Sequence, residues 1–360
     1  MVSVGIVGLP NVGKSTLFNA LTNNDILAAN YPFATIEPNT GIVPVPDERL
    51  QKLAEIYGSD KQLPASVTFV DIAGLVAGAS KGEGLGNKFL ANIRQCNAIL
   101  HIVRTFHNGE ILRHDDSEVN PASDIETINT ELILADMQTI QQRLPKLQKE
   151  SKSKPAIREQ LNYLESLVEQ LKTGIPLSSI PNLNVESIDD LHLLTAKPII
   201  YAFNVDEDTL TNNEKQNKLS ELVAPARCLF VCAKLEEELK GLDSNDAHEL
   251  LESYGVKETG LEQMIHVSYD TLGLQSYLTA GPKEVRAWTI KKGATAPQAA
   301  GVIHTDFERG FIAAQIVSYE DLVSAGSEQA AKNAGKIRTE GKDYVMQAND
   351  VVEFRFNVSK

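Results

Sequence analysis

The sequence has 360 residues, of which 42% are hydrophobic, 23% are charged and 6% are aromatic. This composition is typical of a folded globular protein and excludes the disordered and fibrous classes. At about 150 residues per domain, it predicts two or three domains. With 34 Lys and Arg residues against 48 Asp and Glu residues, the net charge is −14, so contact with nucleic acid requires a local basic patch rather than overall charge.

The cysteines and the first residues of the sequence indicate the cellular compartment of the protein. Cys96, Cys228 and Cys232 form no C-x-x-C pair, and no histidine cluster at zinc spacing accompanies them, which favours a reducing environment. The first apolar run lacks a basic flank and is interrupted by Asn11 and Lys14, unlike a signal peptide or a spanning helix. We therefore expect a cytoplasmic protein that does not associate with a membrane.

Short apolar and β-branched runs alternate with helical stretches along the chain. The runs comprise residues 2–7, 67–70, 98–103, 199–203 and 228–231. Alternation of this kind predicts an α/β fold in which helices cover a mostly parallel sheet.

Between residues 124 and 171 the pattern changes to two heptad-spaced helices. The apolar positions are Ile133, Met137, Ile140, Leu144 and Leu147, then Ile157, Leu161, Leu164, Val168 and Leu171. A polar stretch ending at Pro155 separates them, and proline suits the first position of a helix. The sequence thus predicts a coiled-coil hairpin inserted in the α/β domain. Pro145 lies inside the first helix, so we expect a kink or an early end near Leu144.

After residue 276 the sequence pattern predicts short strands and turns. In residues 352–358, apolar and polar side chains alternate, as in a strand with one buried face. This predicts a small, separate α+β domain. The expected organisation is a nucleotide-binding domain over 1–123 and 195–275, the helical hairpin over 124–194, and the last domain over 276–360.

Residues 8–16, GLPNVGKST, match the P-loop pattern G-x-x-x-x-G-K-[ST] between a predicted strand and a predicted helix. Backbone N–H groups of such a loop hold phosphates, its lysine reaches the β- and γ-phosphates, and its Ser ligates Mg²⁺. The alternative is a glycine-rich turn without a ligand. The residues expected to contact the nucleotide here are Asn11, Val12, Gly13, Lys14, Ser15 and Thr16.

A D-x-x-G sequence, Asp71 to Gly74, follows the second core strand. In that position the carboxylate of Asp71 is expected to hold Mg²⁺ through water, and the Gly74 N–H to sense the γ-phosphate. Thr35, in the preceding loop, is the expected second protein ligand of Mg²⁺, beside Ser15. The alternatives are an ordinary strand-ending turn and a solvated loop threonine.

Base recognition is expected after the later strands, where P-loop GTPases carry N-K-x-D. Here the strand over 199–203 is followed by Asn204, then Val205 in the place of the lysine and Glu207 in the place of the aspartate. Guanine specificity is therefore in doubt. Cys232 and Ala233 begin a C-A-K tripeptide where such proteins place S-A-K, and we expect all five of these residues to contact the nucleotide.

Together these motifs resemble the Obg-related P-loop NTPases of the TRAFAC class and, among them, the YchF or Obg-like ATPase family. The resemblance covers essentially the whole chain, including the N-x-x-E variant and the hairpin. It implies a C-terminal TGS domain of β-grasp fold, preference for ATP over GTP, slow hydrolysis, Mg²⁺ as cofactor, and association with the ribosome, as its large subunit or whole. The alternatives are a GTP-using switch of the same fold and a non-hydrolysing adaptor that binds RNA or the ribosome.

Hydrolysis is expected to be slow because Leu75 occupies the position of the water-orienting Gln of many GTPases. Asn11 resembles the residue that helps to bind K⁺ in potassium-activated relatives, so K⁺ is a second candidate cofactor. His114 matches a family histidine and is a catalytic candidate beside Lys14, Asp71 and Gly74, although a loop histidine without a catalytic part is an equal alternative.

Two groups of basic residues are candidate docking sites on an acidic chain. The predicted hairpin tip carries Lys146, Lys149, Lys152, Lys154 and Arg158, and the last domain carries Lys283, Arg286, Lys291, Lys292 and Arg309. Solvated surface charge is the alternative for both. We expect the protein to be a monomer.

Overall fold

In the computed structural model the described residues are 2–22, 40–71, 85–106, 119–239, 242 and 244–357. Within these ranges, no helix is both long enough and apolar enough to span a membrane.

The first sheet has six strands in the order β2-β4-β1-β5-β6-β7. Their bounds are Ser3–Val7 (β1), Thr40–Pro44 (β2), Ser66–Asp71 (β4), Ala98–Arg104 (β5), Ile199–Asn204 (β6) and Arg227–Val231 (β7). Pairing is parallel from β4 through β1, β5 and β6 to β7. Every residue of β5 and β6 is buried, as expected for central strands that are covered on both faces. The predicted parallel sheet is confirmed.

Helices connect these strands. Their bounds are Lys14–Thr22 (α1), Leu85–Gln95 (α3), Glu207–Thr211 (α6), Asn213–Glu221 (α7), Ala233–Leu239 (α8), Ser244–Ser253 (α9) and Gly260–Thr271 (α10). Because the strands are parallel, their carboxyl ends lie at one edge of the sheet, and the described segments that follow β1, β6 and β7 begin there.

The inserted hairpin consists of α4 (Pro121–Ser151) and α5 (Pro155–Leu171), with Pro155 at the start of α5 as predicted. The expected early end near Leu144 is wrong, because α4 continues through Pro145 to Ser151. The turn beyond the proline carries Leu147, which is buried in a cluster that also includes residues of α5. That packing supports the helix where the missing N–H weakens it.

A buried carboxylate joins α4 to the chain that returns from the hairpin. Asp136 is 0% exposed and accepts hydrogen bonds from the Leu194 N–H at 2.8 Å, the Thr195 N–H at 2.7 Å and the Thr195 hydroxyl at 2.7 Å. These three donors meet the requirement that a buried charge be hydrogen-bonded. Burial nevertheless raises the pKa of Asp136.

The second sheet also has six strands, in the order β11-β10-β12-β8-β9-β3. Their bounds are Gln62–Leu63 (β3), Leu274–Ala280 (β8), Val285–Lys291 (β9), Phe311–Ser318 (β10), Arg338–Glu340 (β11) and Asp350–Phe356 (β12). The accompanying helices are Arg49–Tyr57 (α2), Ala296–Ile303 (α11), Thr305–Arg309 (α12), Tyr319–Ala325 (α13) and Glu328–Asn333 (α14). A β8–β9 hairpin, a helix, and a last strand parallel to β8 are the parts of the expected β-grasp fold.

The chain divides into two compact units, and the division differs from the predicted domain limits. The first unit holds β1, α1 and the described parts of Thr68–Ser268, so the hairpin is grouped with the parallel sheet. The second unit holds Ile42–Val67 as well as the chain from Tyr269 onward. Residues 42–67 belong there because Gln62 pairs with Val285 in the second sheet, a contact between distant parts of the sequence that local patterns do not reveal.

Candidate nucleotide-binding site

The loop between β1 and α1 has the backbone of a phosphate-binding turn. Asn11 has φ +62° and Gly13 has φ +92°, conformations that L side chains rarely adopt. A Cβ atom on Gly13 would lie 2.4 Å from Asn204 Nδ2, and one on Gly8 would lie 2.8 Å from the carbonyl oxygen of Ile102. Glycine is therefore required at both motif positions by close approach of the neighbouring strands.

Two charged residues meet in this structure: Lys14, predicted to reach the phosphates, and Asp71, predicted to hold Mg²⁺ through water. Lys14 Nζ, at the first position of α1, forms an ion pair with Asp71 Oδ1 at the end of β4, and their side chains are 9% and 16% exposed. Ser15 and Thr16, the next two residues of α1, are exposed. The first turn of the helix thus presents a cation, hydroxyl groups and its own N–H groups at the edge where phosphates bind in P-loop proteins.

Asn204 joins two segments at this edge of the sheet. Its side chain is 1% exposed; Nδ2 donates to the Val12 carbonyl oxygen at 3.0 Å, and Oδ1 accepts from the Ala233 N–H at 3.3 Å. One amide therefore connects the P-loop to the first residue of α8. The motifs predict Asn204, Val12 and Ala233 as separate nucleotide contacts, but they do not reveal that Asn204 binds the other two residues.

Val205 and Asp206 have structural roles. The Val205 side chain is 2% exposed and packs in the core, and its N–H donates to the Val231 carbonyl oxygen at 2.9 Å. The carboxylate of Asp206 caps α6 by accepting from the N–H of Thr209 at 2.9 Å and from its hydroxyl at 2.6 Å. The hydroxyl bond, as the largest contribution, holds the pKa of Asp206 below its ordinary value.

Glu207 is paired with a lysine of α8. Lys234 Nζ lies 2.7 Å from Glu207 Oε1, and the two side chains are 70% and 34% exposed. This bond raises the pKa of Lys234. The C-A-K tripeptide therefore supplies, from the start of α8, a cation beside the residue that replaces the guanine-binding aspartate. Cys232, the first residue of that tripeptide, is buried.

A buried glutamate on α8 was missed by sequence analysis. Glu236 is 5% exposed, and its Oε1 accepts a hydrogen bond from the Gly260 N–H, at the start of α10, at 2.6 Å. Burial raises the pKa of Glu236 to about 7, although the N–H donors of Gly260 and Leu261 lower it. No sequence signal marks this residue, because its burial depends on how α8 packs against α10.

Four predicted residues, Thr35, Gly74, Leu75 and His114, lie outside the described residues. Within the described ranges, no group of three or more His, Cys, Asp or Glu residues is arranged to hold a metal ion. The Ser15 hydroxyl and the Asp71 carboxylate do offer the oxygen ligands that Mg²⁺ prefers, and a magnesium ion bound with a nucleotide needs few protein ligands because phosphates complete its coordination.

The fold and this loop define a P-loop nucleotide-binding domain that carries an inserted helical hairpin and a C-terminal β-grasp domain. Comparison with family models agrees: a model described as "50S ribosome-binding GTPase" matches residues 3–157, and the YchF-GTPase_C model, described as a protein of unknown function, matches residues 274–357.

Whole-chain relatives identify the family. The "Ribosome-binding ATPase YchF" of Bacillus subtilis is 52% identical, with 99% of each chain covered, and that of Escherichia coli O157:H7 is 52% identical, with 98% of this chain and 99% of the relative covered. The solved "Schizosaccharomyces pombe YchF GTPase" is 39% identical over 98% of this chain and 97% of its own, with a TM-score of 0.86. The chain belongs to the YchF family, as the motifs predict.

Proposed function

We propose that this protein is a ribosome-associated P-loop ATPase that hydrolyses ATP to ADP and phosphate and acts as a nucleotide-dependent switch. The observation that carries the proposal is the meeting of Lys14 and Asp71 at the edge of the sheet beside the glycine-constrained loop. The names of the bacterial relatives, ribosome-binding ATPases at 52% identity, support it.

The phosphates of the nucleotide would lie on the N–H groups of the loop and of the first turn of α1. Lys14, now paired with Asp71, would turn its ammonium group to the β- and γ-phosphates and stabilise the charge that develops as the terminal P–O bond breaks. Gly74 would report the γ-phosphate through its N–H, and His114 would orient the attacking water.

Mg²⁺ would be held by Ser15 and Asp71, and Thr35 would join them only in the triphosphate state. When bound, it neutralises charge on the β- and γ-phosphates. A Ser15→Ala variant, which removes an exposed hydroxyl, should lose Mg²⁺-dependent hydrolysis. The assignment fails if the rate of hydrolysis and its dependence on Mg²⁺ are the same in the Ser15→Ala variant as in the parent protein.

Base selection depends on the region around Glu207. An aspartate that accepts from guanine is replaced here by a longer carboxylate already bound to Lys234, and no lysine stands at position 205. Since hydrogen-bond selection of a base is typically worth about 1 to 3 kcal/mol, ATP should bind roughly tenfold or more tightly than GTP.

Competition between ATP and GTP for labelled ATP on the purified protein tests this preference. Glu207→Asp should reduce the difference in affinity between ATP and GTP. Glu237→Gln, which alters an exposed carboxylate on α8, should leave that difference unchanged. Equal affinities in the parent protein, or a preference for GTP, would contradict the proposal and favour a GTP-using switch. The name of the solved fission yeast relative, a GTPase, favours that second candidate.

The hairpin tip is the proposed ribosome contact. Its basic residues, which lie at the end of α4, in the turn and at the start of α5, are all exposed. These residues are Lys146, Lys149, Lys152, Lys154 and Arg158. In the β-grasp domain the predicted basic residues are partly engaged: Arg286 lies over the Trp288 ring at 3.9 Å, and Lys292 pairs with Asp270. The tip is therefore the stronger candidate for binding phosphate-rich RNA.

A further inference from the structure

A cleft in the second unit has no part in the nucleotide site. It has a volume of about 370 Å³, and all the residues that line it belong to the second unit. Its polar side chains include Tyr57, Gln315, Glu328 and Glu353, and its apolar side chains include Phe307 and Phe354.

The cleft lies where two strands of the second sheet separate. β12 pairs with β10 along most of its length and β8 pairs with β9 over seven positions, whereas the parallel pairing of β12 with β8 is recorded at Val351 and Leu278. Beyond that pair, Thr279–Gly281 on one side and Val352–Phe354 on the other form walls of the cleft. An extended segment can lie between diverging strands and use their backbone groups.

The charge of the cleft has one sign. Its described lining contains Glu328 and Glu353 but no Lys, Arg or His. The Tyr57 hydroxyl donates to Glu328 Oε2 at 3.2 Å. Burial raises the pKa of Tyr57, and the negative charges of Glu328 and then Glu353 raise it further. Both carboxylates therefore lie close enough to the Tyr57 hydroxyl to influence it. This negative field repels phosphates and attracts a cation.

The apolar wall of the cleft favours apolar side chains. Phe307 stacks on Phe356 at 3.7 Å between ring centroids, and Phe354 packs edge-on against Tyr277. Successive residues of a strand point to opposite faces of a sheet, so Glu353 and Phe354 of β12 present a carboxylate on one face and a ring on the other. An arginine side chain binds carboxylates through two parallel hydrogen bonds. An extended segment in which arginine alternates with apolar residues therefore matches both faces.

We propose that this cleft binds an extended segment of a partner protein in which arginine alternates with apolar residues. The segment would lie between β8 and β12, with an arginine beside Glu328 and Glu353 and apolar side chains on the aromatic wall. The site would act independently of ATP and of the hairpin tip, and it would select protein rather than RNA.

Fluorescence anisotropy of a labelled ten-residue peptide of alternating Arg and Val, added to the full-length protein, tests this proposal. We expect saturable binding that weakens with salt, and no binding of a matched peptide of alternating Glu and Val. The Glu328→Gln and Glu353→Gln double variant should bind at least tenfold more weakly. Asp343→Asn, which removes an exposed carboxylate outside the lining, should bind as the parent does and so controls for non-specific attraction to an acidic protein.

Hydrogen exchange locates the peptide: binding should protect Thr279–Gly281 and Val352–Phe354. The proposal is overturned if the double variant binds as the parent does, or if protection falls elsewhere. It is also overturned if arginine amide competes as well as the peptide, which indicates a small-molecule site, or if a single-stranded oligoribonucleotide displaces the peptide, which indicates RNA. If the parent protein forms dimers without peptide and the double variant does not, the cleft binds a second copy of this chain, and the proposal is likewise overturned.

Discussion

Replacing Glu236 with Gln should remove a pH dependence from the stability of the first unit. The carboxyl group is 5% exposed and accepts from the Gly260 N–H. A glutamine keeps a carbonyl oxygen for that N–H and cannot ionise. Since the side chains are nearly equal in size, the substitution tests ionisation rather than packing.

The magnitude follows from the pKa of Glu236, which burial raises from an ordinary 4.5 to about 7. Between these values the folded protein binds the proton more strongly than the unfolded chain does, so stability falls as pH rises and the loss is complete above pH 7. One pKa unit corresponds to about 1.4 kcal/mol. The parent protein should therefore lose roughly 2 to 3 kcal/mol more than the variant between pH 5 and pH 8.

Urea unfolding followed by circular dichroism at 222 nm, repeated at half-unit pH steps, measures this difference, because long helices of the first unit dominate that signal. Glu237→Gln, on the same helix but exposed, should follow the parent at every pH. Parallel stability curves for the parent and Glu236→Gln would refute the assignment of a buried, proton-binding carboxyl.

Three other outcomes are expected. Reversing the charges of Lys149, Lys152 and Lys154 at the hairpin tip should weaken ribosome co-sedimentation roughly tenfold at low salt, with a smaller difference at high salt; unchanged co-sedimentation would leave these lysines as solvated surface charge. Asp136→Ala leaves buried N–H donors of the returning chain unpaired and should lower the free energy of unfolding in urea by about 2 to 5 kcal/mol. A decrease below about 1 kcal/mol would mean that water molecules bind these donors instead. Phosphate release should be faster in KCl than in NaCl, and Asn11→Ala should abolish the difference; equal rates in both salts for the parent would remove the K⁺ site.

Local patterns were sufficient to predict the parallel sheet and the hairpin. The strands at 98–103 and 199–203 are continuous apolar runs, and such runs form buried strands such as β5 and β6. The heptad spacing likewise predicted α4 and α5, because each apolar position faces the partner helix. Proline is a local signal too, but at Pro145 tertiary packing outweighed it.

Contacts between distant residues could not be predicted in the same way. Gln62 and Val285 pair across more than two hundred residues, and a two-residue strand has no periodicity to detect. In the site, motif spacing identified Asn204 and Glu207, but it did not reveal that Asn204 binds Val12 or that Lys234 binds Glu207. Those partners depend on the order of β1, β6 and β7 at one sheet edge, which follows from the fold rather than from a motif.

Phosphate release from ATP and from GTP by the parent protein and by Lys14→Ala tests the central claim most directly. We expect the parent protein to release phosphate from ATP above background and from GTP more slowly. Release from ATP by Lys14→Ala should fall to background, because the variant lacks the ammonium group beside Asp71. Circular dichroism of the variant would establish that it is folded. Background release by the parent, or undiminished release by a folded Lys14→Ala protein, would contradict it and leave a non-hydrolysing adaptor as the better description.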